Sequence, residues 1–467
     1  MKNIFKISLA AILLFSVISC RKKEVLNVDF SKYNLDQPET NTALDQWLNT
    51  NLLDPYNMKV IYRFNRYYYG DASVDVAPLK PDNVQPMMQT VLDGYLLPYK
   101  KIAGTTFIQN TNPKEWVLYG SAFYQTDGSA IAGTAAGGRR ITLYGLNSFS
   151  LTPAFVTNRL YVIHHEFTHI LNQTVAIPPD FEGISQGAYK QPWTLTPAAT
   201  AKAAGFLGSY ASGSPTEDYA ETVATLLVTG QSYYDNYANT IGNVDATVNA
   251  TAKSRLKLKE ANVVNYYTTG LGFDFRRLQR EVQNYLKNVV KDPSVTFGYW
   301  LNRGSLYKTL TMDMTNDIAY TTYPMPTQFK ALYQSASAGI AAIPLASRLN
   351  MNSIKLNFTS ATAMNVEVSF NQGTTALLAK YAFNMIVDPA TSETRFTVAA
   401  VGGTDANWVG NANLLKPSLQ PILDYLANNT FVADWLPSEY STVTYTNYAG
   451  FYVKGASANY FYGATGQ

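Results

Sequence analysis

Cysteine and histidine are both scarce in this chain of 467 residues, which contains one cysteine and three histidines. A single cysteine excludes a disulfide scaffold and any metal cluster that is held by several thiolates. Neither sign of charge predominates. The chain has 36 Lys and Arg residues and 33 Asp and Glu residues, which gives a formal net charge of +3. A nearly neutral chain has no basic footprint for nucleic acid, and we therefore expect no nucleic-acid partner.

Long apolar runs are missing except at the start of the chain. Two lysines precede an apolar run over 7–18, which is shorter than a membrane-spanning helix requires. The run ends in Val17-Ile18-Ser19-Cys20 and resembles the bacterial lipobox, in which the cysteine is lipidated and the chain is cut before it. This resemblance predicts a signal peptide at 1–19, a lipid on Cys20 and a polar tether over 20–40. The alternative is a secretory signal followed by a buried free cysteine.

The pattern after the tether predicts an α+β protein with two domains, at 41–303 and 304–467. Apolar spacing near 3.6 residues indicates helices in the first domain, and short alternating runs indicate a few strands. The expected helices cover 42–52, 83–102, 153–174, 215–229, 251–267 and 275–291, and the expected strands cover 57–68, 115–124 and 140–145. The Gly-rich and Ala-rich segment 127–138 lacks a phosphate-binding motif and is expected to be a loop.

Alternating apolar and polar residues dominate the second domain. Four such runs begin at Ser353, Asn365, Thr394 and Thr442, and turn residues separate them. This spacing favours a mostly β domain built as an antiparallel sheet or a sandwich. A helix is expected near 418–428.

All three histidines lie within six residues, in the sequence His164-His165-Glu166-Phe167-Thr168-His169. The pattern His-Glu-x-x-His on a helix places His165 and His169 one turn apart, so both rings can reach one metal ion. Glu166 is then turned toward a water molecule at that ion. His164 points about 100° away from His165 on the helix and is expected to be a core or supporting residue.

A catalytic zinc site needs three protein ligands and an open position. No further histidine is available, so the third ligand is expected to be a carboxylate. The best candidates are in the helix that begins at Ser214-Pro215, where Glu217 and Glu221 share one face. Asp218 is the rival ligand because it also shares a face with Glu221. Glu217 has a competing interpretation, since Ser-x-x-Glu is a capping box that requires no metal.

The two motifs together resemble those of the gluzincin metallopeptidases. The resemblance implies that His165, His169 and Glu217 bind Zn²⁺ and that Glu221 hydrogen-bonds a ligating histidine. Gluzincins usually have Asp where this chain has Glu221. Tyr210 would donate a hydrogen bond to the developing oxyanion, although it could equally be a packing residue.

Within that group, His-Glu-Phe-x-His, Ser-Tyr-Ala and Glu-Asp-Tyr-Ala-Glu resemble segments of the zinc metallohydrolase lipoproteins associated with TonB-dependent import across the outer membrane. The likeness covers about 41–300 and includes the lipobox. It implies a zincin-like, mainly helical metallopeptidase domain with a small mixed sheet. It also implies a lipid anchor in the outer membrane, on the periplasmic or the surface face, and a link to an import system for nutrients.

The predicted activity is zinc-dependent hydrolysis of a peptide bond in a protein, peptide or glycopeptide. Glu166 would take a proton from the attacking water and pass it to the leaving amine, while the zinc ion lowers the pKa of that water. The alternative function is a surface substrate-binding lipoprotein whose tyrosine-rich β domain captures the ligand and whose zinc is structural or vestigial. The presence of Glu166 favours the enzyme, because a structural zinc ion has no use for a base.

Overall fold

A computed structural model describes residues 41–64, 68, 76–124, 130–242, 245–400, 404–436 and 444–467. The predicted signal peptide, Cys20 and tether lie outside the described residues. Among the helices that are described, none is both long enough and apolar enough to cross a membrane.

Helices make up most of the part that precedes residue 304. In chain order the helices of the whole described chain are α1 (Ala43–Leu48), α2 (Asp54–Tyr56), α3 (Pro81–Val91), α4 (Leu97–Ala103), α5 (Thr105–Thr111), α6 (Pro153–Thr174), α7 (Pro179–Ile184), α8 (Ala198–Ala203), α9 (Pro215–Ala224), α10 (Gln231–Asn239), α11 (Ala246–Asn265), α12 (Phe275–Tyr285), α13 (Phe297–Arg303), α14 (Ala319–Thr322), α15 (Thr327–Ala341) and α16 (Gly410–Asn428). Single turns of π-helix continue five of them, at Asn49–Leu53, Leu92–Leu96, Thr225–Thr229, Tyr266–Gly270 and Leu286–Val290.

A small mixed sheet lies in the same part of the chain, as predicted. Its order is β1 (Lys59–Ile61), β2 (Glu115–Leu118), β6 (Arg140–Leu143) and β5 (Gly133–Ala136). The first three strands are parallel, and β5 pairs antiparallel with β6 at the edge. Two further short strands, β3 (Phe123–Tyr124) and β4 (Ala130–Ile131), form a separate pair.

Helix α6 runs close to the edge strand β5. A Cβ atom on Gly133 would come within 2.6 Å of Val162 Cγ1 on α6, so only glycine allows this approach. Gly94 permits a similar approach on another side, because a Cβ atom there would meet the Leu160 methyl groups at 2.7 Å. The helix is therefore held between β5 and the segment around Gly94.

The part of the chain after Arg303 forms a closed antiparallel barrel of eight strands. They are β7 (Thr309–Met312), β8 (Leu349–Ser360), β9 (Ala363–Gln372), β10 (Thr375–Val387), β11 (Glu393–Val398), β12 (Thr430–Trp435), β13 (Tyr448–Val453) and β14 (Ala456–Gly466). Each strand pairs with its neighbours in sequence, and β14 closes the ring by pairing with β7. Aromatic side chains such as Phe396, Phe431, Phe451 and Phe461 fill its core.

The α+β class is confirmed, with helices and a small sheet first and mostly strands afterwards. The expected helices at 153–174 and 215–229 are also confirmed. The domain boundary at 303/304 remains a prediction; α13 ends at Arg303 and β7 begins at Thr309.

Several local predictions were wrong. Among the described residues of 57–68 the expected strand covers Lys59–Ile61, while 65–67 lie outside them, and the strand expected over 115–124 is interrupted after Leu118. The segment 127–138 was expected to be a loop, but its described part contains β4 and β5, because pairing with β3 and β6 overrides its low strand propensity. The run that begins at Thr442 starts outside the described residues, and its described part enters a 3₁₀ turn at Tyr445–Asn447. The expected sheet or sandwich is instead the closed barrel.

Candidate metal centre

Three side chains from two helices converge on one point. His165 and His169 are one turn apart on α6, and Glu217 comes from the first turn of α9. The Nε2 atoms of the two histidines are 3.1 Å apart, and Glu217 Oε2 is 3.1 Å from His165 Nε2 and 3.3 Å from His169 Nε2. Among the described residues these three form a group able to hold a metal ion.

The spacing of these three donor atoms fits a tetrahedral ion. Ligand bonds of about 2.0–2.1 Å in tetrahedral geometry separate neighbouring donor atoms by about 3.3 Å. The three observed separations are close to that value. Two imidazole nitrogens and one carboxylate oxygen also form a donor set that zinc accepts, and three ligands leave a fourth position open.

Each helix begins where the sequence predicts. Thr152 precedes Pro153 at the start of α6, and Ser214 precedes Pro215 at the start of α9. The Ser214 hydroxyl accepts a hydrogen bond from the backbone N–H of Glu217. The Glu217 carboxylate, however, approaches the two histidines, so the capping interpretation accounts for Ser214 but not for the position of the Glu217 side chain.

Glu221 lies behind His165, as the resemblance implies. Its Oε1 atom is 3.0 Å from His165 Nδ1, while its Oε2 atom accepts a hydrogen bond from the Tyr161 hydroxyl at 2.8 Å. Burial disfavours the charged ring of His165, but hydrogen bonds to Glu217 and Glu221 outweigh it and raise the pKa of His165 to about 9. With Nδ1 facing Glu221, Nε2 is the ring nitrogen that would release its proton to bind a metal ion.

Glu166 is half-buried beside these residues. Burial raises the pKa of its carboxyl group, and the charges of His165 and His169 oppose this effect. The backbone N–H of Ala135 in β5 donates a hydrogen bond to the carboxylate. The edge strand therefore fixes the side chain that the sequence predicts as the base.

Asp218, the rival third ligand, points away from the histidines. Its Oδ2 atom is 2.8 Å from Lys259 Nζ of α11 and accepts a hydrogen bond from the Tyr189 hydroxyl at 2.9 Å. Both ionic side chains are fully buried. Of the two neighbouring acids, Glu217 is the one that approaches His165 and His169.

A family described as "Putative zinc-binding metallo-peptidase" matches residues 37–276, just over half of the chain. The protein belongs to this family. The matched segment contains α6, α9 and all three converging side chains.

One solved structure is similar to this chain. It is the crystal structure of "a putative zinc-binding metallo-peptidase" from Bacteroides caccae ATCC 43185 at 2.10 Å resolution. The identity is 26%, the match covers 53% of this chain and 93% of that chain, and the TM-score is 0.44. No curated protein matches the chain.

Tyr210 lies beside the candidate metal centre. Its ring centre is 5.9 Å from that of His165, and Trp193 packs edge-on against its other side at 5.2 Å. Burial raises the pKa of Tyr210, as do the charge of Glu217 and a hydrogen bond to it. The hydroxyl is therefore protonated at neutral pH and can donate.

His164 is a buried core residue. It is fully buried among Tyr95, Tyr99 and Phe167, and its Nε2 atom lies 3.2 Å from the carbonyl oxygen of Gly94. Burial lowers its pKa to about 4, so the ring is neutral at physiological pH.

Sequence reasoning missed three groups at this site. Tyr161 precedes His165 by one helical turn, and this spacing could have indicated a partner for Glu221. Trp193 and the Ala135 N–H had no local signal, because their positions depend on how distant segments pack around α6.

We expect Glu221→Ala to weaken metal binding by about 10- to 100-fold, because His165 loses the acceptor that orients its ring. Tyr161→Phe should have a smaller effect, since it removes only the hydrogen bond to the other oxygen of Glu221. Competition titration with a chromophoric chelator measures both affinities. Unchanged affinity in Glu221→Ala would mean that this carboxylate has no part in holding the ligand.

Proposed function

We propose that the protein is a zinc peptidase of the gluzincin type. The convergence of His165, His169 and Glu217, with the HExxH glutamate Glu166 half-buried beside them, carries the proposal. A zinc ion held by these three residues would polarise a scissile carbonyl group and lower the pKa of a water molecule. Glu217 would take the third position, and Glu221 would orient His165.

The chain's own residues supply the other parts of the reaction. Glu166, held by the Ala135 N–H, accepts a proton from the attacking water and later gives it to the leaving amine. The Tyr210 hydroxyl donates a hydrogen bond to the oxygen that gains negative charge. Three converging ligands favour an enzyme over a structural zinc site, which usually has four protein ligands.

The edge strand supports a peptide substrate. Among the described residues β5 is the last strand of its sheet and pairs with β6 on one side. The backbone of Ala135 hydrogen-bonds Glu166, so this edge strand lies beside the predicted base. An extended peptide can add to such an edge through backbone hydrogen bonds.

The location at the cell envelope belongs to the same proposal. It depends on the lipobox at Cys20 and on the resemblance to import-associated lipoproteins. A lipid on Cys20 would hold the peptidase at the outer membrane, where its products would feed a TonB-dependent importer.

The test is metal analysis of the purified protein combined with cleavage profiling of a peptide library, with and without 1,10-phenanthroline. We expect about one zinc ion per chain and cleavage that the chelator abolishes. A protein that binds zinc but cleaves no peptide would support the alternative, a surface binding protein with a structural zinc ion.

His169→Ala should lose stoichiometric zinc, because it removes one of three ligands. Inductively coupled plasma mass spectrometry of the dialysed protein measures the zinc content. Glu166→Gln is the matched control, since its side chain is not among the three converging ligands and zinc should remain bound. Full zinc occupancy in His169→Ala would contradict the proposed ligand set.

Tyr210→Phe should lower kcat by about 100-fold with little change in KM or zinc content, because one donor to the oxyanion is lost. The kinetic constants and a zinc titration should be measured on the same preparation. If the hydroxyl serves only to hold Glu217, zinc affinity will fall and kcat at saturating zinc will not.

A further inference from the structure

A cavity of about 540 Å³ lies between α12 with its π-helical continuation and strands β12 and β13. Its size is in the range of sites that bind small molecules. None of its lining residues belongs to the metal centre. The lining residues that carry the argument are Arg280, Asn284, Lys287, Asp434, Tyr452 and Lys454.

Arg280 is a buried cation in this cavity and is only 8% exposed. Its Nη2 atom donates to the carbonyl oxygen of Leu436, and the guanidinium lies 5.2 Å from the ring centre of Tyr445. Its Nε atom is buried and has no hydrogen-bond partner. No carboxylate of the described residues forms an ion pair with it. Burial lowers its pKa, and the charges of Asp434 and Glu281 offset this effect only in part. A buried cation without an ion-pair partner is costly.

The other charges at the cavity cancel in pairs. Lys287 forms an ion pair with Asp434, and Lys454 forms one with Glu393. Arg280 is therefore the cation among these lining residues that forms no ion pair with a carboxylate of the described residues. Tyr452 also lines the cavity, and its hydroxyl oxygen is buried without a hydrogen-bond partner.

We propose that this cavity binds a small organic molecule through a single carboxylate group, which pairs with Arg280 and accepts a hydrogen bond from Tyr452. The planar guanidinium suits a carboxylate, because its N–H groups can donate in parallel to both oxygens. The amides of Asn284 and Asn288, which also line the cavity, hydrogen-bond polar groups on the rest of the molecule. The proposal does not depend on the peptidase activity.

The balance of charge favours a carboxylate over a phosphate. One uncompensated cation neutralises a monoanion, whereas a phosphate dianion would leave excess negative charge in a buried site. A carboxylate of this kind occurs at the C terminus of a peptide and on a uronic acid sugar. The experiment therefore includes a probe from each source.

The test is calorimetric titration of the full chain with two matched pairs of probes. One pair is N-acetylalanine and N-acetylalaninamide, and the other is D-glucuronate and D-glucose. The uncharged chelator 1,10-phenanthroline is present throughout, so that no probe can bind through zinc. We expect at least one acid to bind about tenfold or more tightly than its neutral partner, since hydrogen bonds to charged groups are the stronger ones. The acid that binds more tightly identifies the source.

Variants connect the binding to the cavity. Arg280→Gln should weaken binding of the acid by about tenfold or more, and Tyr452→Phe by about threefold to tenfold. Arg277→Gln is the matched control, because Arg277 is exposed on the same helix, and it should bind as the natural protein does. Tyr452→Phe removes only a hydroxyl group, so it still tests binding at the cavity if Arg280→Gln fails to fold. Equal affinity for acid and neutral probe, no binding at millimolar concentration, or affinity unchanged by Tyr452→Phe would overturn the proposal.

Discussion

Glu166→Gln should lower kcat/KM for peptide hydrolysis by about 10²- to 10⁴-fold while zinc remains bound, because an amide cannot accept the proton of the attacking water. The substitution keeps the shape of the side chain, and the amide oxygen can still accept the hydrogen bond from the Ala135 N–H. Burial raises the pKa of Glu166, which brings the natural carboxylate closer to the basicity that a general base needs near neutral pH.

The measurement is cleavage of a peptide selected from the library, at matched zinc content. Glu182→Gln is a suitable control, since Glu182 is exposed on α7 and is not part of the metal centre. It should retain the natural rate. Full activity in Glu166→Gln would remove this residue from the mechanism. Loss of activity together with loss of zinc would instead make Glu166 necessary for the metal site.

The helices that hold the metal centre were predictable because their signals are local. Thr152-Pro153 and Ser214-Pro215 are helix N-terminal signals that consist of adjacent residues. In a helix, the four-residue spacing of His-Glu-x-x-His places both histidines on one face. The choice between Glu217 and Asp218 was harder, because both occupy the first turn of α9. In the structure Lys259 on α11 forms an ion pair with Asp218, and Glu217 faces the histidines.

Features that depend on distant pairing could not be derived in the same way. β5 has the sequence Gly-Thr-Ala-Ala and little intrinsic preference for a strand, so its structure follows from pairing with β6. Closure of the barrel depends on the contact between Thr309 of β7 and Gly466 of β14, which are far apart in the chain. Alternation of apolar and polar residues shows that strands are present, but not whether the first pairs with the last.

Lys259→Met should destabilise the protein by about 3–5 kcal/mol, because it leaves the Asp218 carboxylate buried without its cation. Lys259 Nζ is 2.8 Å from Asp218 Oδ2 and also donates to the carbonyl oxygen of Gly205 at 2.7 Å. Burial already outweighs the attraction of Lys259 and raises the pKa of Asp218 to about 6. Urea unfolding of the zinc-free protein measures the change without a contribution from metal binding.

Two further variants separate the ion pair from the loss of a long side chain. Lys253→Met, at an exposed position of the same helix, should leave the free energy of unfolding nearly unchanged. The double variant Asp218→Leu, Lys259→Met should recover much of the loss, since neither charge is then buried.

The loss of unfolding free energy in Lys259→Met should shrink as the pH falls from 8 toward 5. A carboxyl group whose pKa is raised in the folded protein takes up a proton more readily there than in the unfolded chain, and the neutral form needs no cation. A defect that is independent of pH and persists in the double variant would show that Lys259 acts through packing and not through its charge.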